Sequence, residues 1–189
     1  MAGNKQLEDQ AILDWIGKPE TLEKGFKALV DKYQQKLYWH IRRMVMSHDD
    51  ADDILQNTFI KVYRNIDQFE QKSSLYTWLY RIATNESLTF IERSKKFQYD
   101  FVEDQDEHPA ISNLKADPYF DGNEIQLRLQ EALTRLPERQ KQVFLLRYND
   151  EMSYKDMSEV LQTSEGALKA SYHHAVKKIE EYFKLKELI

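Results

Sequence analysis

Residues 164–178 hold the pattern with the clearest chemical use. Ser164 can cap a helix that starts at Glu165 and runs to about Lys184. Along it Leu168, Tyr172, Ala175, Ile179 and Phe183 recur at three- and four-residue steps and make one apolar stripe. The opposite side carries Gly166, Lys169, Ala170, His173 and Lys177, with Lys178 beside them. Two near-absent side chains let the backbone approach a partner closely, and the cations favour a polyanion. A DNA major groove accepts a helix of that shape. A helix hairpin that binds protein has the same stripe, so that alternative stays open on these residues alone.

Two further groups have a chemical reading. Asp53, Gln56, Asn57 and Ile60 share a helix face at i, i+3, i+4 and i+7, with Asp50 at its head. One apolar residue among hydrogen-bonding groups suits a protein-docking patch, although single exposed apolar residues are common on any wet face. Tyr76, Trp78 and Tyr80 sit close to Arg81 and Asn85. Aromatics beside cations suit unstacked bases, which offer a π-face to a ring and a phosphate to a cation. The same aromatics are equally at home in a core.

Catalytic constellations are poor. His48-Asp49 could belong to a metal-dependent phosphohydrolase, but at a helix start Asp is more simply a cap. His173 and His174 are adjacent, point apart on a helix and cannot chelate together. No Gly-rich phosphate loop, nucleophile elbow or zinc spacing occurs. The expectation is a protein with no enzymatic activity, no cofactor and no metal.

The elements that position these residues are all helical, with no competing strand pattern. Phe26, Val30, Tyr33, Leu37, Ile41 and Met44 keep one face of a helix from Leu22 to Met46. After a break at residues 47–50, where Asp49 or Asp50 can cap, a second helix from Ala51 to about Ile66 buries Leu55, Phe59, Val62, Tyr63 and Ile66. A polar loop over residues 70–74 leads to a helix near Leu75 to Arg93. Residues 97–123 hold seven acids, one Lys, Pro109, Pro118 and Gly122 without a sustained period, which predicts a flexible acidic linker. Beyond it Ile125, Leu129, Ala132, Leu133 and Leu136 share a face, and Pro137 suits the first turn of a helix that ends near Asn149. Ser153-Tyr154-Lys155-Asp156 resembles a capping box that opens a helix to about Leu161. The three-residue turn after it holds Gln162 where a left-handed residue, normally Gly, is expected; a side chain there costs roughly 1 kcal/mol. The predicted architecture is all-α, two small helical domains on an acidic tether.

Composition narrows the class. The chain has no Cys, so neither disulfides nor thiolate metal sites are available. Residues 1–20 lack a basic start followed by an apolar run, and no stretch approaches a membrane span, so neither a secretory leader nor membrane insertion is expected. The simplest location is cytoplasmic. Net charge is −5, but its distribution is uneven: −7 over residues 97–131, +3 over 22–96 and +1 over 132–189. Neither flank is strongly basic, so isolated DNA should be bound weakly, because phosphate neutralisation supplies most non-specific affinity.

Four stretches carry a resemblance. Residues 50–64 (Asp50-Ala-Asp-Asp-Ile-Leu-Gln-Asn-Thr-Phe-Ile-Lys-Val-Tyr-Arg64) and 74–85 (Ser74-Leu-Tyr-Thr-Trp-Leu-Tyr-Arg-Ile-Ala-Thr-Asn85) resemble the second conserved region of bacterial extracytoplasmic-function (ECF) sigma factors. Residues 136–147 (Leu136-Pro-Glu-Arg-Gln-Lys-Gln-Val-Phe-Leu-Leu-Arg147) and 164–169 resemble their fourth. The resemblance implies an N-terminal extension (1–21), a region 2-like domain (22–96), the acidic linker (97–123) and a region 4-like helix-turn-helix domain (124–189). It also implies a dissociable subunit of RNA polymerase that recognises promoter DNA and assists strand opening at the start of transcription.

Roles follow from the likeness residue by residue. Asp50, Asp53, Gln56, Asn57 and Ile60 would dock on the coiled coil of the largest polymerase subunit. Gln71, Lys72, Ser73 and Ser74, with Trp78, Arg81 and Asn85, would engage the non-template strand of the minus-ten element. Ser164, Glu165 and Gly166 would open the helix that reads the minus-thirty-five element. Lys169, Ala170 and His173 would lie nearest its bases, and Lys177, Lys178, Arg147 and Lys155 nearest phosphate. An inhibitory anti-sigma partner, often membrane-anchored in the family, is a further implication. The family's recognition helix is usually richer in Arg than Ala170, Ser171, Tyr172 and Val176 allow, so base preference does not transfer. A DNA-binding regulator whose residues 22–96 sense or dimerise is the competing reading, and binding to core polymerase separates the two.

Overall fold

The computed structural model describes residues 2–98 and 124–186, and every regular element among them is helical. The acidic segment expected to be a linker lies, from residue 99 onward, outside the described residues. The first unit comprises α1 (Ala2–Ile16), α2 (Leu22–Val45), α3 (His48–Asn65) and α4 (Leu75–Gln98). The second comprises α5 (Glu124–Thr134), α6 (Glu138–Phe144), α7 (Tyr154–Leu161) and α8 (Glu165–Leu185).

In the first unit α2, α3 and α4 pack side by side around Leu29, Leu37, Ile41, Ile54, Val62 and Leu79. The break between α2 and α3 is built without glycine. Met46 takes the left-handed conformation (φ 61°) and its N–H bonds Arg42 O at 2.9 Å, closing α2. Ser47 then caps α3 by accepting from Asp50 N at 3.4 Å. The cap is therefore Ser47, not Asp49 or Asp50; the two acids lie in the first turn, where the helix dipole favours them. The buried stripe of α3 is also rotated from the expected one. Ala51, Ile54, Thr58 and Val62 are buried, Leu55 and Phe59 flank them, and Tyr63 is half exposed. Thr58 is tolerated inside because its hydroxyl donates to Ile54 O at 2.8 Å.

Residues 1–21, to which the sequence assigned no fold, contain α1, which lies along α2. Asp9 accepts from Lys32 Nζ at 2.6 Å and from the Tyr33 hydroxyl at 2.7 Å, and Ile12 is buried beneath it.

In the second unit Pro137 occupies the N-cap of α6 (φ −53°, ψ 140°), one place before the expected first turn. The helix it starts loosens into a π turn over Leu145–Asn149, which brings both Leu145 and Leu146 into the core. Helix α8 buries Leu168, Ala175 and Tyr182. Tyr182 takes the place expected for Phe183 because its hydroxyl reaches Glu131 at 2.7 Å on α5.

The turn between α7 and α8 is as the sequence predicts: Gln162 is left-handed (φ 50°, ψ 48°) and no glycine relieves it. Gln162→Gly is expected to raise stability by about 1 kcal/mol, seen as a rise of roughly 2–4 °C in the thermal midpoint. No rise would mean that the bond from Gln162 Nε2 to Glu159 O, 2.7 Å, offsets the strain.

The two units are not separate globules. Val143, Leu146, Met157, Val160 and Leu168 of the second join the same buried cluster as Leu37, Ile41 and Leu79 of the first. Helix α7 lies along α4, and the π turn abuts α2. Polar bonds cross the seam as well. Lys141 Nζ, almost fully buried, donates to Met44 O at 2.9 Å; Thr77 Oγ1 donates to Asp156 at 3.1 Å; and His40 meets Asp150 at 2.7 Å.

Candidate nucleic-acid interface

The helix α8 presents the face that its sequence promised. Ser164 is its N-cap, accepting from Ala167 N at 3.4 Å. Glu165, Gly166, Lys169, Ala170, His173, Lys177 and Lys178 are all exposed, on the side away from Leu168 and Ala175. A Cβ at Gly166 would meet nothing within 4 Å, so that end of the helix is open to close approach. Helix α7 packs behind α8 and completes a helix-turn-helix. Lys169 is 3.8 Å from Glu165 and lies over the Tyr154 ring at 5.5 Å, which holds its ammonium near the turn. Lys155 is exposed at the start of α7. Arg147 is half-buried, donates to Met152 O at 3.1 Å and stacks over Tyr154 at 5.3 Å, so it must swing outward to meet a phosphate.

On α3 the second group is brought together. Asp53, Gln56, Asn57 and Ile60 are exposed on one side of the helix, Ile60 at 48 %, with Asp50 half-buried at the head. Tyr63, half exposed one turn beyond, extends the apolar part of this face, although its spacing predicts burial.

The third group is split. Gln71, Lys72 and Ser74 are exposed in the loop before α4, Ser73 is half-buried, and Arg81 and Asn85 are exposed one turn apart on α4. Gln71 is left-handed (φ 55°), a strained backbone at the loop tip. Lys72 pairs with Glu70. Ser74 caps α4 by accepting from Thr77 N at 3.0 Å, and its hydroxyl is 2.8 Å from that of Thr77. Trp78, read as a candidate stacking platform, is only 8 % exposed, with its ring 5.1 Å from that of Phe69. It forms a wall of the core here.

Near this loop the two units enclose a cleft of about 890 Å³, lined among others by Lys36, Trp39, Gln71, Ser73, Tyr76 and Asp150. Burial pushes the Tyr76 hydroxyl up to about 12 and that of Tyr80 higher still, so both stay protonated at neutral pH and can donate. Nothing in the local sequence pattern places His40, Lys141 and Asp150 at a seam. No helix among the described residues is long and apolar enough to cross a membrane.

Comparison with known proteins agrees with this geometry. Residues 29–97 match the family described as Sigma-70 region 2, and residues 126–179 match Sigma-70, region 4. The chain is 30% identical over 183 residues to the ECF RNA polymerase sigma-E factor of Haemophilus influenzae, covering 93% of this chain and 95% of that protein. It is 32% identical over 156 residues to the ECF RNA polymerase sigma factor SigW of Bacillus subtilis, covering 79% of this chain and 83% of the relative. Among solved structures it is similar to the sigma factor RpoE of Bartonella quintana, crystallised with the anti-sigma factor NepR. The TM-score is 0.67 at 25% identity, over 85% of this chain and 98% of that one. The chain belongs to the ECF sigma factors, non-enzymatic proteins that recognise promoters and start transcription with RNA polymerase.

Proposed function

We propose that three surfaces divide the work of initiation. The α3 face of Asp50, Asp53, Gln56, Asn57 and Ile60 docks on the coiled coil of the largest polymerase subunit. The loop Gln71–Ser74, with Arg81 and Asn85 on α4, holds the unpaired non-template strand of the minus-ten element. Helix α8 enters the major groove at the minus-thirty-five element with Lys169, Ala170 and His173 toward base edges. Lys177, Lys178, Lys155 and Arg147 meet phosphates. The observation that supports this most is the α8 face itself: small at Gly166 and Ala170, cationic at Lys169 and Lys177, exposed along its whole length, and braced from behind by α7.

The holoenzyme, rather than the free chain, is the form that reads DNA, because a net charge of −5 leaves little non-specific attraction. Its place is the cytoplasm, where the polymerase is. An anti-sigma protein is the expected inhibitor, supported by the NepR-bound RpoE to which the chain is similar; a membrane anchor on that inhibitor rests on family likeness alone.

Lys169→Ala tests the groove assignment. In holoenzyme it is expected to weaken recognition of the upstream element by about 1–3 kcal/mol, measured as promoter occupancy against a scrambled element. Equal loss on both sequences would make Lys169 a phosphate contact, and no loss on either would remove it from the interface.

A further inference from the structure

The loop that follows the π turn lines the cleft between the units, and the Asp150 side chain is only 4 % exposed there. Donors from the first unit converge on it. His40 Nδ1 lies 2.7 Å from one carboxylate oxygen; a carboxylate only accepts, so Nδ1–H is the donor. The Arg43 guanidinium donates to the other oxygen at 3.4 Å, and the Tyr80 hydroxyl approaches the same oxygen at 3.5 Å. The Tyr76 hydroxyl donates to the Asp150 carbonyl at 3.2 Å. His40 is 1 % exposed and is held on its far side by Thr84 Oγ1 at 3.0 Å, so this arrangement is built into α2 and α4.

Such a cradle recognises an anion, and its present occupant is the chain's own carboxylate. The occupant cannot stay when both promoter elements are bound. The elements lie about 25 base pairs apart, roughly 85 Å along B-DNA, whereas a compact chain of this length is only about 40 Å across. The units must part, and Asp150, Glu151 and Asp156 leave with the second. The cation nearest α1 remains matched, since Asp9 stays against Lys32 at 2.6 Å. What is uncovered is a set of donors without an acceptor, bordered by Gln71, Ser73 and Ser74 on one side and by exposed Lys36 and Trp39 on another. Water can solvate these donors, but a backbone phosphate of the strand running past the loop offers them charge-assisted hydrogen bonds, which are stronger.

We propose that His40, Arg43, Tyr76 and Tyr80 form a phosphate site for single-stranded promoter DNA, and that Asp150 is a built-in competitor which fills it while the two units are closed. The proposal rests on the reading that the Gln71–Ser74 loop with Arg81 and Asn85 holds the minus-ten strand. Phosphate carries no base identity, so the effect should be independent of sequence.

Fluorescence anisotropy of the full chain with a labelled oligo-thymidine 15-mer provides the test. Asp150→Asn keeps the shape but removes the charge, and is expected to bind the oligonucleotide at least fivefold more tightly than wild type. Adding Arg43→Gln should return affinity toward wild type and lower the salt slope by about one. Two folded variants that bind like wild type overturn the proposal, and so does a gain that Arg43→Gln fails to reverse. Arg81→Ala separates the two readings. If it abolishes binding while the Asp150 and Arg43 variants change nothing, the minus-ten reading stands and the cradle falls; if none of the three matters, both fall. Should Asp150→Asn lose its helical circular dichroism, Arg43→Gln in holoenzyme decides. The lifetime of the heparin-resistant open complex is then expected to shorten severalfold, and an unchanged lifetime overturns the phosphate site.

Discussion

Asp53→Arg is expected to reduce affinity for core RNA polymerase by on the order of a hundredfold, with the thermal midpoint of the free chain unchanged within a degree or two. The position is exposed in the second turn of α3, on the face shared with Gln56, Asn57 and Ile60. Reversal removes an attraction and installs a repulsion, and like charges set against each other across an interface cost several kcal/mol. A hundredfold is about 2.8 kcal/mol, well inside that range. The fold has little reason to respond, because Arg is a better helix former than Asp and no core contact is lost. Competition between labelled wild type and the variant for core polymerase measures the loss. An affinity within twofold of wild type would show that the α3 face is not the docking surface. A large fall in thermal midpoint would instead assign the effect to the fold.

Helical periodicity made most of the fold legible, and it failed where burial comes from a distant part of the chain. The α2 stripe was readable because Tyr33, Leu37 and Ile41 recur at helical steps against neighbours nearby in sequence. His40 is buried too, on a further side of the same helix, where it meets Asp150 of the second unit, and Met44 at the end of the stripe is buried with Leu133, Leu136 and Phe144 of that unit. No local pattern announces a partner a hundred positions away. Lys141 is the sharpest case: a lysine on an amphipathic helix reads as solvent-facing, yet it supplies the donor for a carbonyl at the end of α2. Thr58 was missed for a different reason. Subtracting only apolar residues from a helix leaves out a threonine that satisfies itself within the helix.

Among the surfaces, those of α3 and α8 were legible because their chemistry is the complement of a buried stripe. The minus-ten group was not fully so. An aromatic beside cations is a stacking platform or a core wall, and the tertiary packing that buries Trp78, with Phe69 beside it, makes it a wall here. The competitor loop had no signal beyond acidity. Asp150 and Asp156 look like ordinary helix-end acids, and their role depends on the π turn that sets the loop toward α2 and α4.

Gly25→Val is expected to lower the stability of the chain by about 3 kcal/mol, a fall of roughly 6–12 °C in the thermal midpoint, and to release α1. A Cβ at Gly25 would lie 2.8 Å from the Ile16 backbone nitrogen, 2.8 Å from Ile16 Cγ1 and 2.9 Å from Trp15 Cβ. One obstacle is backbone, so rotating a side chain cannot make room, and the end of α1 has to move. With it go the burial of Ile12, about 1.5–3 kcal/mol if lost completely, the Asp9 bonds to Lys32 and Tyr33, and the bond from the Thr21 hydroxyl to Trp15 O at 2.7 Å. Replacing glycine inside a helix returns less than 1 kcal/mol, which is too little to reverse the sign. Limited proteolysis should then cut around residues 17–21 in the variant long before wild type. If the valine chain melts like wild type and resists the protease equally, α1 does not lie against α2 at Gly25. The wall that Asp9, Gln10 and Leu13 lend to the cleft would then be lost as well.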